Sequence, residues 1–156
     1  MKVTGELKVR ALREAVFDKI QDAQFFASCI DGVQELTEVD PTHYDARFET
    51  QVAYMKFSFK LSIAVTRKEP PSDIETTIEG TPLGIVGRLA ATSRTHLTEE
   101  GDETKIAYEI DAALTGKLGS LGQPVLRSKA KEMEKQFIGR LTEAFEGRPA
   151  EAGEKA

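Results

Sequence analysis

Few residues in this chain could carry out chemistry. Cys29 is the one cysteine, and His43 and His96 are the two histidines, among 156 residues. A metal site normally takes three or four ligands at closed spacing. One Cys and two scattered His make no such set, even with carboxylates to help, so no metal site and no cofactor are assigned. A nucleophilic Cys needs an electropositive, partly exposed setting and a base. Cys29 instead follows an apolar helical segment and precedes Ile30, with no His nearby in sequence, which favours a buried structural thiol. Ser93 and Thr95 fall on the apolar phase of their strand. Their hydroxyls either bond to neighbouring backbone or orient the polar head of a ligand. Tyr44 and Tyr108 raise the same question, because a buried phenol needs a partner for its O–H. Glu75 and Glu79 fall on a polar strand phase and read as solvated charges. Lys129, Lys131, Glu132, Glu134, Lys135 and Arg140 are expected to form a charged outer face on a helix. No catalytic residue is assigned.

In the stretch "EGTPLGIVGRLAATSR" (Glu79 to Arg94), the eight residues from Gly80 to Gly87 carry three glycines and the three large apolar residues Leu83, Ile85 and Val86. It has neither the P-loop nor the dinucleotide-binding glycine spacing. It also joins two strand patterns, whereas phosphate loops feed a helix N-terminus. It is expected to connect adjacent strands, with Leu83, Ile85 and Val86 either forming an apolar lip or folding back on the core.

The elements that must position these residues follow from periodicity. Lys2 to Arg10 alternates as a half-buried strand. Val16, Phe17, Ile20, Phe25, Phe26 and Ile30 recur at helical spacing, giving two short helices broken near Asp22. A strand follows the Asp31–Gly32 turn. From His43 to Tyr54, Tyr44, Ala46, Phe48, Thr50, Val52 and Tyr54 share one face. Phe57, Phe59, Leu61, Ile63 and Val65 do the same on the next strand. Such alternation marks long antiparallel strands with one wet face. After the Pro70–Pro71 turn, Ile74, Thr76 and Ile78 point inward. Leu89, Ala91, Ser93, Thr95 and Leu97 follow on the next strand, then Ile106, Tyr108, Ile110, Ala112 and Leu114. The period then changes: Leu121, Val125, Met133, Phe137, Leu141 and Phe145 mark a long amphipathic helix, with Pro124 in its first turn.

The predicted class is α+β: a curved antiparallel sheet of about seven strands around a long C-terminal helix, with two short helices after the first strand. One domain is expected over residues 1–146, and the polar segment 147–156 is expected to be disordered. Small inward residues such as Gly80, Ala91 and Ala112 suggest either a cavity or close helix–sheet contact. The formal net charge of −5, without a basic run, argues against nucleic-acid binding. No apolar run approaches membrane-spanning length. A cytoplasmic protein is expected, with peripheral contact at the inner face of the membrane left open.

Several segments carry a family resemblance. They are "CIDGVQELTEV" (Cys29 to Val39), the glycine-rich connection from Gly80 to Gly87, "TKIAYEIDAALTGKLGSLGQ" (Thr104 to Gln123), and "KQFIGRL" near the helix end. With the order of elements, they resemble the START-like (SRPBCC) helix-grip superfamily and, within it, the carbon monoxide dehydrogenase G-subunit family. Two departures stand out: Asp31 replaces a usual proline, and the chain ends in polar or small residues where many members carry a hydrophobic anchor. The resemblance implies an accessory protein, not an enzyme. It would hold a quinone- or lipid-like molecule between sheet and helix. It would link a molybdenum hydroxylase of the carbon monoxide dehydrogenase type to the membrane or quinone pool. The lining implied by the inward phases is Phe48, Phe57, Phe59, Leu61, Ile78, Leu83, Ile85, Val86, Leu89, Ala91, Ser93, Tyr108, Ile110, Leu121, Val125, Met133 and Phe137. Alternatives are a cyclase- or dehydrase-type enzyme of the same superfamily, which would need an inward acid or base, and an assembly factor with a filled core.

Overall fold

The computed structural model describes residues 1–146; the expectation for 147–156 lies outside them. Strand β1 (Lys2–Val9) leads into helices α1 (Arg13–Ile20) and α2 (Ala23–Ser28). Strands β2 (Val33–Asp40), β3 (His43–Val52), β4 (Met55–Glu69), β5 (Asp73–Pro82), β6 (Gly87–Glu100) and β7 (Glu103–Gly116) follow, and α3 (Gln123–Glu146) closes the domain. The break between the short helices has a clear cause. The Asp22 carboxylate accepts from the Gln24 and Phe25 N–H groups and so caps the start of α2.

All seven strands join in one antiparallel sheet of order β1-β7-β6-β5-β4-β3-β2. Hairpins connect β2 through β7, whereas α1 and α2 carry the chain from one sheet edge, β1, to the other, β2. The register places the apolar phases side by side: Phe48 faces Phe59, Leu61 faces Gly80, Ile78 faces Ala91, and Ala91 faces Ala112. This is the expected helix-grip arrangement, with α3 against the apolar face. The α3 backbone comes nearest to β1 and β3, not to the central strands.

The core is divided. Near α1 and α2, Val9, Val16, Phe17, Leu97, Ile106 and Leu141 pack together, joined by Phe137 and Phe145 of α3. Towards the opposite end, Val52, Phe57, Phe59 and Leu118 form a second cluster with Phe48, Leu61, Leu89, Leu121 and Val125. Leu141 is 1% exposed and ties α3 to the first cluster. Leu141→Ala is expected to cost about 2–5 kcal/mol, as deletions of buried leucine side chains do, read as a lowered denaturation midpoint.

Tyr54 corrects the inward phase expected of β3. It is 97% exposed, because Ala53 and Tyr54 form the two-residue turn between β3 and β4, where Ala53 takes φ +56°. The last pair is Val52 with Met55, so the alternation ends at Val52, two residues before Tyr54. Asp31, at the departure from the family pattern, forms an ion pair with Arg140 of α3. Cys29 is buried and free, and burial pushes its thiol up, in keeping with a structural role.

Candidate ligand-binding site

Between the two core clusters lies a stretch of the inner face that belongs to neither. Ile63 of β4, Thr76 and Ile78 of β5, Ala91, Ser93 and Thr95 of β6, and Tyr108 and Ala112 of β7 are all only partly buried there. Their cross-strand pairing makes them one continuous surface. Ile110, on the same inward phase, stays 37% exposed. From α3, Ala130, Met133 and Glu134 are likewise partly buried, and neither core cluster includes them. Ala91, Ser93 and Ala112 place small side chains along the sheet side of this stretch. This band of mainly apolar side chains therefore stands apart from both packed ends.

The proposed lining residues separate into groups. Ile78, Ala91, Ser93, Tyr108, Ile110 and Met133 lie on the partly buried band outside both clusters. Phe57 and Phe59 are buried in the second cluster, with Phe48 stacked on Phe59 at 5.9 Å between ring centroids. Leu61, Leu89, Leu121, Val125 and Ile85 pack against that cluster. Phe137 belongs to the first cluster, where its ring meets Phe26. Leu83 and Val86 project outward, 46% and 78% exposed. The connection from Pro82 to Gly87 thus does two things: Ile85 folds back on the core while its neighbours point away.

One polar pair stands inside this apolar setting. The Tyr108 hydroxyl donates to Glu134 Oε2 across the space between β7 and α3. Glu134 therefore does not lie on the outer helix face, as the charge pattern suggested. It falls four residues after Ala130 and four before Ile138, on the sheet-facing side. Gly5 explains how the pair fits: a Cβ there would lie 2.3 Å from the Tyr108 hydroxyl oxygen and 3.0 Å from Glu134 Oε2. Burial first, then the Glu134 carboxylate, pushes the Tyr108 phenol up. At Gly80 the small residue means something different, since a Cβ would meet Leu61 and Leu89 at 3.1–3.2 Å. There, close packing is what excludes a side chain.

Both histidines lie on the outer surface, as their strand phases require. His43 Nδ1 is 2.9 Å from Asp40 Oδ1, and His96 Nδ1 is 2.8 Å from Asp73 Oδ1. Ser72 Oγ donates to the other oxygen of Asp73. Together Ser72 and His96 hold the Asp73 carboxyl below the usual range. Ser72 and His96 each bond the carboxylate and not each other, which is not the order a nucleophilic triad needs. An open groove of about 510 Å³ runs along this outer face. Arg67 and Arg94 pair with Glu75 across it, and Arg94 also pairs with Glu109. Arg67, Asp73, Glu75, Arg94, His96 and Glu109 in its walls each already hold a charged or hydrogen-bonded partner. Tyr44 is half-buried, and its hydroxyl donates to the Pro41 carbonyl. No group of three or more His, Cys, Asp or Glu that could hold a metal occurs among the described residues.

The family model of the carbon monoxide dehydrogenase G subunit (CoxG) matches residues 5–145. This chain is a CoxG family member. Among solved structures, the CoxG chain is similar to a conserved protein from Geobacillus kaustophilus. The two share 23% identity with a TM-score of 0.84, over 96% of this chain and 98% of that one. It is also similar to a START superfamily protein from Mycobacterium smegmatis, at 14% identity and TM-score 0.71, over 94% and 97% of the two chains. An aromatase/cyclase, ZhuI from Streptomyces sp. R1128, superposes at 16% identity and TM-score 0.70, over 98% of each chain. These likenesses make the fold START-like; at such identities they speak to fold alone. No curated relative matches the chain.

Sequence reasoning missed Glu134. The available signal was its position: Ala130, Glu134, Ile138 and Leu141 follow the spacing of one helix face.

Proposed function

We propose that this CoxG protein is an accessory binding module. It takes a quinone- or lipid-like molecule into the band between the central strands and α3, and serves a molybdenum hydroxylase of the carbon monoxide dehydrogenase type. The supporting observation is the divided core, which leaves a contiguous apolar surface partly exposed while both ends of the domain are packed. Burying on the order of 300 Å² of apolar ligand surface yields about 7 kcal/mol before the entropic cost of association, enough for micromolar binding. Extraction of the purified protein with organic solvent, followed by mass spectrometry, is expected to release such a molecule. An extract free of it, together with failure to take up a prenylated naphthoquinone or a fatty acid, would remove the proposal.

The loop end of the sheet supports a route for that ligand. Tyr54, Met55, Leu83 and Val86 are exposed there, all at the end shared by the β3–β4 turn and the β5–β6 connection. Residues 50–57, 80–90 and 112–128, which build this end, contain no Asp or Glu. Lys56, Lys117 and Arg127 lie in them and join no ion pair among the described residues. On a chain of net charge −5, this is a basic pole with apolar tips, suited to an anionic phospholipid surface. No described helix is long and apolar enough to cross a membrane, so the proposed contact is peripheral.

A second reading draws on Glu134. An inward carboxylate beside a phenol is the acid/base group that a cyclase- or dehydrase-type enzyme would require. Product formation from a poly-β-ketone substrate, lost in Glu134→Gln, would favour it; no product would leave the binding module.

A further inference from the structure

We infer that the Tyr108–Glu134 pair is the polar anchor of the chamber, and that it selects ligands whose head group is a hydroxyl over those that offer only a carbonyl or ether oxygen. The inference rests on the binding reading above and specifies the ligand's chemistry.

The argument is one of donors and acceptors. The pair has a single mobile proton, on Tyr108, and that proton is committed to Glu134 Oε2. Glu134 has no ion-pair partner among the described residues. Its other oxygen, Oε1, has no hydrogen-bond partner there either, and it is not among the buried unsatisfied atoms, so it stays accessible. What the pair offers a newcomer is therefore acceptor capacity: Oε1 and the phenol lone pairs. A ligand O–H satisfies Oε1 and leaves the Tyr108 bond intact. A carbonyl or ether that meets this pair can take only the Tyr108 proton, which deprives Glu134 Oε2 of its donor, and losing that charge-assisted bond is costly. A phenol or quinol head suits the pair, while a quinone carbonyl competes with it. The neighbouring Ser93 and Thr95 hydroxyls lie on the same inward phase, so the polar patch is local and the rest of the band is left to an apolar tail.

Two redox-inert probes separate the possibilities: 4-nonylphenol, and 4-nonylanisole, which has the same ring and tail but no donor. Calorimetric titration of the full chain is expected to show the phenol binding at least about tenfold more tightly, the scale of one charge-assisted hydrogen bond. Glu134→Gln supplies an N–H donor in place of one acceptor oxygen. It is expected to bring the two probes within about twofold, with phenol affinity lowered and anisole affinity level or raised. Tyr108→Phe leaves the carboxylate in place and is expected to keep the preference. Equal binding of both probes to the unaltered chain, or a preference that survives Glu134→Gln, overturns the anchor while leaving the chamber standing. Failure of both probes to bind overturns the chamber and the anchor together.

Discussion

Ala91→Phe is expected to lower affinity for a prenylated naphthoquinone by at least about a hundredfold without unfolding the protein. Ala91 stands between Ile78 and Ala112 on neighbouring strands, in the middle of the band proposed to take the ligand. A phenyl ring there occupies the space the ligand would take. If it displaces half of the buried ligand surface, about 3–4 kcal/mol of the apolar gain is lost, which is a factor of several hundred. The same ring gains burial on the inner face beside Ile78 and Ala112, so the thermal midpoint should stay level or rise. The comparison with Leu141→Ala is informative, because there the side chain removed is already buried. A change that costs binding but not stability marks space for a ligand. If Ala91→Phe destabilises the domain as strongly as Leu141→Ala, the band is packed and not open.

The second large effect concerns the basic, apolar end. Leu83→Asp combined with Val86→Asp is expected to reduce binding to phosphatidylglycerol vesicles by about a hundredfold or more. Binding to phosphatidylcholine vesicles should be weak from the start. Two inserted side chains are lost, and two negative charges are placed among Lys56, Lys117 and Arg127, each loss on the order of 1–3 kcal/mol. Both positions are exposed, so the melting temperature should move little. Ile85 is the wrong residue for this experiment, although it lies between them. It packs on the second core cluster, and Ile85→Asp would confound lost attachment with lost packing. Equal binding of the unaltered protein and the Leu83→Asp/Val86→Asp variant to anionic vesicles would separate these side chains from any membrane contact.

The faces of the strands were legible in the sequence because a period of two assigns every side chain to one side or the other. Phe57, Phe59 and Leu61 in β4, and Ala91, Ser93 and Leu97 in β6, all face inward as their alternation requires. Alternation does not say where a strand stops. Tyr54 continues the phase of β3 by count but sits in the turn, and only the pairing of Val52 with Met55 reveals this. Glu134 was lost for another reason. A single carboxylate amid Lys131, Glu132 and Lys135 looks like surface charge, and its partner Tyr108 is 26 residues away in the chain. The glycine at position 5 that admits Tyr108 lies still further off. Contacts that depend on three distant elements leave no local pattern. Small residues were ambiguous in the same way: Gly80 is small where Leu61 and Leu89 crowd it, while Ala91 is small on the partly buried band.

The most direct test of the chamber is to follow individual methyl groups while a ligand is added. With isoleucine and methionine methyls labelled, titration of a prenylated naphthoquinone and of 4-nonylphenol is expected to shift the NMR signals of Ile63, Ile78, Ile110 and Met133. Those of Ile20 and Ile106, buried in the first cluster, should stay in place. Unmoved band methyls at saturating ligand would contradict an apolar chamber between sheet and α3. So would shifts confined to Met55 at the loop end.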